Sequence, residues 1–208
     1  QPVTHDVGDR LSWNNRPPVS KKQGWVEGTM GWEERRDLMK DVCQSCHEEG
    51  WVENWYIQYD GLVELYNRKF GEPGVALMKA AKPLMKGPKF SHKLDFVWFE
   101  LWHHEGRRAR MAASMMGPDI THWEGTYDLG KNFYTEMVPE LQELIEHGKH
   151  GSAEDKKAAA NLETVLNEVL NSDSHKWFIG KEDPKKAAER KQRQAEFKDR
   201  YKKTGGSR

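Results

Sequence analysis

Apolar residues recur along this chain at helical rather than alternating intervals. Leu38, Met39 and Val42 mark a short helix that begins near Glu33 and leads into Cys43. Between Trp51 and Phe70, the residues Trp55, Tyr59, Leu62 and Tyr66 share one helical face, and Gly71, Pro73 and Gly74 read as its end. Val75 to Lys82 forms a further short helix within a lysine-rich connection that contains Pro83 and Pro88. Leu94 to Met116 is strongly helical, with Phe96, Trp98, Leu101 and Trp102 early, Met111 and Met115 late, and Gly117-Pro118 as the stop. Further helices are expected from about Trp123 to His147 and from Ala153 to Leu170, the latter with Leu162, Val165, Leu166, Val169 and Leu170 on one stripe. Ahead of all these, residues 1–32 carry Pro2, Pro17, Pro18 and several glycines without periodicity, which predicts an extended arm lying on a surface. No alternating strand pattern is found. The expected class is all-α, organised as an arm (1–32), a segment around Cys43 with its following helix (33–72), a helical region (73–178) and a charged tail (179–208).

Composition changes this picture in one respect. Only 36% of the 208 residues are hydrophobic while 32% are charged, and the mean hydropathy is −0.95, so aliphatic material for a core is scarce. The large buriable groups are instead nine Trp, seven Phe, six Tyr and eight Met, which suit packing against a flat cofactor or a larger partner. Lys and Arg together equal Asp and Glu at 33 each, which gives no reason to expect a nucleic acid partner. The basic residues concentrate after Lys181, where a solvated helix is expected to fade into a loose tail. No apolar run approaches the roughly 20 residues of a membrane span. A chain opening at Gln1 without a signal pattern is expected to be a mature exported protein or a piece of a longer one.

The chemistry enters at Cys43-Gln44-Ser45-Cys46-His47. Two thiols separated by two residues on one turn can add to the two vinyl groups of a haem, while the next imidazole reaches the iron from the same side. A thioredoxin-like redox pair would sit on a strand-to-helix turn, which this sequence lacks, and a zinc site would need more thiols than the two present. Covalent haem c, with His47 as iron ligand, is the expectation. Such attachment takes place on reduced apoprotein outside the cytoplasm, so the compartment is expected to be periplasmic or an equivalent one.

Eight further histidines exceed what one haem can use. His147, His150 and His175 stand in polar, loop-like surroundings, and His92 is read in the same way. His103 and His104 lie inside an aromatic helix, where an unpaired imidazole would be costly. Together with His122, beside Trp123, and His5 in the arm, they are candidate distal iron ligands. A bis-His haem is closed to substrate and suited to electron transfer. More than one such ligand would require haems attached elsewhere.

Three strings carry a resemblance: Thr4-His5-Asp6-Val7-Gly8-Asp9-Arg10-Leu11-Ser12-Trp13; Trp102-His103-His104-Glu105-Gly106-Arg107-Arg108-Ala109-Arg110-Met111; and Met115-Met116-Gly117-Pro118-Asp119 with Thr121-His122-Trp123. As a set they resemble the C-terminal part of octahaem hydroxylamine oxidoreductases and the hydrazine dehydrogenases of that family, over about residues 1–145. The resemblance implies a multihaem cytochrome c-like fold in which Cys43, Cys46 and His47 match the last haem attachment site. It implies distal-ligand roles for His5, one of His103 and His104, and His122, and a tyrosine, Tyr59 or Tyr56, that bonds covalently to the catalytic haem of a neighbouring subunit. It further implies a homotrimeric assembly, oxidation of hydroxylamine or hydrazine, and a small redox protein as electron acceptor. The family carries seven more haem attachment sites ahead of this region and this sequence has none. The catalytic haem would therefore belong to the remainder of a longer polypeptide or to a haem-rich partner subunit. The rival reading is a free-standing monohaem electron-transfer cytochrome.

Overall fold

The computed structural model describes residues 14–16 and 30–203, and these are predominantly helical with no strand among them. The all-α expectation holds at that level. Most of the arm expected over 1–32 lies outside the described residues, and so does the candidate ligand His5.

The first helix, α1 (Trp32–Gln44), opens with Glu33 and Glu34 in its first turn, where carboxylates favour the positive end of the helix dipole. Glu34 Oε2 also accepts from the Gly31 amide at 2.9 Å, satisfying a donor that the helix leaves unpaired. After a four-residue link comes α2 (Glu49–Tyr66), whose buried stripe is Val52, Tyr56, Tyr59, Val63 and Tyr66. Trp55 and Leu62, expected on that face, stand half-buried at its edge.

The second helix does not end at Gly71, Pro73 and Gly74. It widens into a π segment, Asn67–Gly71, and continues as α3 (Glu72–Ala81). The Glu72 amide already reaches back five residues to Asn67 O, and Pro73 follows in the first turn of α3, where a missing N–H disturbs the ladder least. Gly74 is there for packing, since a Cβ at this position would come within 2.0 Å of the Trp98 ring.

The helix expected over 94–116 is a single rod, α4 (Lys93–Phe99), a π segment (Glu100–Glu105) and α5 (Gly106–Ser114). It stops in a Schellman turn with Gly117 N–H to Ala112 O at 2.7 Å and Met116 N–H to Ala113 O at 3.0 Å. The left-handed residue is Met116 (φ 58°) rather than the glycine beside it. Pro118 then opens the next rod, five residues earlier than Trp123, because proline suits a first helical position. That rod runs through a π segment (Ile120–Tyr127), α6 (Asp128–Asn132), a π segment (Phe133–Met137) and α7 (Val138–Lys149). Next comes α8 (Ala153–Asn171), where Ser152 and Asp155 exchange amide hydrogen bonds of 3.1 Å each, and then α9 (Pro184–Lys203).

The described residues fall into two compact units that divide within α8, one ending at Val165 and the other beginning at Leu166. In the first, Leu77, Leu94, Leu101, Leu129, Phe133, Met137 and Leu141 are fully buried. Its rods approach closely where side chains are small. A Cβ on Gly125 would meet the Ala109 Cα at 2.6 Å, and one on Gly106 would meet the Tyr66 ring at 2.6 Å. In the second unit every described side chain of α9 except Ala187 is exposed, the solvated helix expected there. His175, expected in an open polar setting, is fully buried. No described helix is long and apolar enough to cross a membrane.

Gly125→Ala tests the approach that meets the backbone of another rod. Helix propensity alone would favour Ala by about 1 kcal/mol, but the added methyl meets backbone that cannot swing aside. The variant is expected to lose about 2–3 kcal/mol in urea unfolding followed by circular dichroism. An unchanged midpoint would contradict the close crossing.

Candidate functional site

The motif occupies the last turn of α1 and the link beyond it. Cys46 N–H donates to Cys43 O at 3.2 Å and His47 N–H to the same oxygen at 2.9 Å, so the five residues form one hydrogen-bonded turn. Cys43 is half-buried, Cys46 exposed and His47 half-buried, and neither sulfur is in a disulfide. The donor set fits a haem c: two cysteines outside any disulfide, two residues apart on one turn, with an imidazole on the next residue. The His47 ring rests on Trp51, with centroids 4.2 Å apart and planes 16° from parallel.

What holds this turn is a residue passed over in the sequence. Arg36, one turn ahead of Met39 on the buried side of α1, forks onto Asp60 of α2 through Nη1–Oδ2 at 2.6 Å and Nη2–Oδ1 at 2.9 Å. Its guanidinium carbon lies 4.6 Å from the Trp32 ring centroid and 4.4 Å from that of Tyr56, and Nε donates to Asn14 O at 3.2 Å. On the outer side Lys40 pairs with Glu53 at 2.7 Å. Arginine shares the buried face of α1 with Met39, and a charge on an apolar face was the available signal.

The candidate distal ligands among the described residues sit in two of the π segments. His103 and His104 lie in Glu100–Glu105, and His122 lies in Ile120–Tyr127; the two segments touch. His103 is half-buried and stacks on Phe99 at 4.5 Å and 15°. His104 is exposed, with Nδ1 2.5 Å from Glu100 Oε2. His122 is exposed and meets Trp123 edge-on at 4.6 Å. Inserting one residue into a helical turn rotates the side chains beyond it by roughly 100° about the axis. His92, by contrast, caps α4, its Nδ1 accepting from the Leu94 amide at 3.1 Å.

Both candidate tyrosines are buried. Tyr56 donates to Asn14 Oδ1 at 2.8 Å. Tyr59 borders a cleft of about 350 Å³ lined by Trp55, Gln58, Leu62, Met116, Pro118 and Thr121 among others. Burial pushes the Tyr59 hydroxyl up to about 12, a rise that nearby Arg110 opposes and Asp60 reinforces. Arg110 is itself buried, 4.8 Å from the Tyr66 ring centroid, and desolvation draws its guanidinium below the usual value. Glu105 is buried as well and accepts from Asn132 Nδ2 at 2.8 Å. Leu101, Glu105, Ala109 and Ala112 form one buried stripe, so a carboxylate on a core face was legible here too.

Asp60→Ala leaves Arg36 buried without its carboxylate and is expected to cost about 3 kcal/mol in chemical denaturation, far above the effect of an exposed pair. A loss under about 1 kcal/mol, the range of an exposed pair, would show that the fork does not hold α1 to α2. Tyr59 yields a pH prediction. Its proton is held more tightly folded than unfolded, so its contribution to stability is intact below pH 10 and is lost as pH rises toward 12. Ultraviolet titration of wild type against Tyr59→Phe should assign a phenol that ionises near pH 12 to Tyr59, and ionisation near pH 10, the ordinary phenol value, would contradict it.

No family model, no curated protein and no solved structure matches this chain.

Proposed function

We propose that this chain carries one haem c, bound through Cys43 and Cys46 with His47 on the iron, and serves as the C-terminal portion or subunit of a hydroxylamine-oxidoreductase-like multihaem enzyme. The observation that supports the reading is the motif turn, in which Cys43, Cys46 and His47 share one hydrogen-bonded turn at the end of the helix that Arg36 ties to α2. When bound, the haem supplies reversible one-electron exchange at its iron. The chain's own residues hold it, orient His47 and offer further imidazoles.

The distribution of exposed aromatic and thioether groups supports a role as part of something larger. Phe96, Met115, Met116, Ile120, Trp123 and Tyr127 are all more than 40% exposed, and they flank His103, His104 and His122. Surface of this kind suits the haem-rich remainder of the same polypeptide or a multihaem partner. In that setting His5, one of His103 and His104, and His122 serve as distal ligands, the last two from helical segments already widened for them. Of the two tyrosines, Tyr59 is favoured for the bond to a neighbouring catalytic haem in a trimer, since it borders the cleft whereas Asn14 holds Tyr56. The substrate is hydroxylamine or hydrazine, oxidised outside this chain in a periplasmic or equivalent compartment, with electrons leaving to a small redox protein.

The test is expression with c-type maturation machinery, followed by haem content, particle size and protein-film voltammetry. The expected outcome is one haem per chain, a reversible wave that Cys43→Ser with Cys46→Ser abolishes, and a chain that self-associates or recruits a multihaem companion. A stable monomer with one haem and no companion would favour the monohaem carrier and overturn the enzyme reading.

A further inference from the structure

Trp51 stands four residues after His47, in the first turn of α2, and its indole lies parallel to the imidazole at 4.2 Å. Both rings hang from ordered backbone. His47 N–H donates to Cys43 O at 2.9 Å and Trp51 N–H to Glu48 O at 3.0 Å, so no loose linker separates them. The torsion that turns an imidazole about its own Cβ–Cγ bond is broad and is poorly fixed by the backbone alone. A large flat ring lying on one face removes that freedom. Core packing does not account for the placement, because Trp51 is 44% exposed while its neighbours Val52 and Tyr56, at 1% and 4%, carry the packing of α2.

We infer that Trp51 is a positioning residue for His47: it sets the plane of the imidazole and shields one face from water, so that the ligand meets a haem iron in a single orientation. The inference rests on the haem-binding reading above and deepens it. Groups just outside a coordination sphere orient the ligands within it and tune the metal. Here the orienting group is an aromatic plane rather than a hydrogen-bond acceptor.

The experiment compares haem-matured wild type, Trp51→Phe and Trp51→Ala by haem content, ferric electron paramagnetic resonance and midpoint potential, with thermal unfolding of the apo forms alongside. Haem content should be equal in all three, because attachment runs through Cys43 and Cys46. Trp51→Ala should shift and broaden the ferric g values and lower the potential as water reaches the imidazole and favours the more charged ferric iron. Trp51→Phe, which keeps a ring in place, should restore most of the signal. Wild-type g values and potential in Trp51→Ala overturn the inference while leaving haem attachment standing, and so does a loss of apo stability with unchanged g values. A wild-type chain that takes up no haem overturns both.

Discussion

The bidentate ion pair between Arg36 and Asp60 is the constraint on which the candidate site depends. It joins α1 to α2 through a buried arginine and a half-buried aspartate, with Trp32 and Tyr56 against the guanidinium. Such a pair adds little net stability over an apolar contact of the same shape, since both charges give up water to form it. Its value is directional. An arginine fork fits a carboxylate in one geometry, which fixes the angle between the helices and thereby the turn that joins them. Cys43, Cys46 and His47 stand on that turn, and Trp51 stands one turn beyond it.

The region that bears the candidate distal histidines is organised differently. There the rods are drawn together by two glycines: Gly125 lets its rod meet the backbone at Ala109, and Gly106 makes room for the Tyr66 ring. Two π segments lie in the same stretch and carry His103, His104 and His122. Close crossings make the rods rigid, and widened turns redirect side chains without breaking the rod. Under the proposed function, in which this stretch offers imidazoles to haems attached elsewhere, both properties would serve assembly.

Much of this was legible from residue order alone. Helical spacing located the rods as far as α8, and the run of charges after Lys181 pointed to α9. Gly71, Pro73 and Gly74 look like a stop because these residues usually end helices, yet a π turn accommodates the proline and Trp98 requires the glycine. The stop at Gly117-Pro118 holds, although Met116 rather than the glycine takes the left-handed conformation and Pro118 begins a new rod at once. Arg36 and Glu105 read as solvated charges, although each sits on a face whose other members are apolar and periodicity marks both. Tertiary packing decided the glycine and proline positions, and periodicity along the chain does not report those.

The proposed relay gives this chain a modest chemical role, in which it holds one porphyrin, keeps the iron's ligand in a fixed plane and presents further imidazoles outward. All of it depends on a covalent link between two sulfurs and a tetrapyrrole. Intact-mass spectrometry of the native protein after denaturation and alkylation tests that link most directly. The account predicts a chain heavier by one haem, with neither Cys43 nor Cys46 alkylated; an unmodified chain with both thiols alkylated would contradict it.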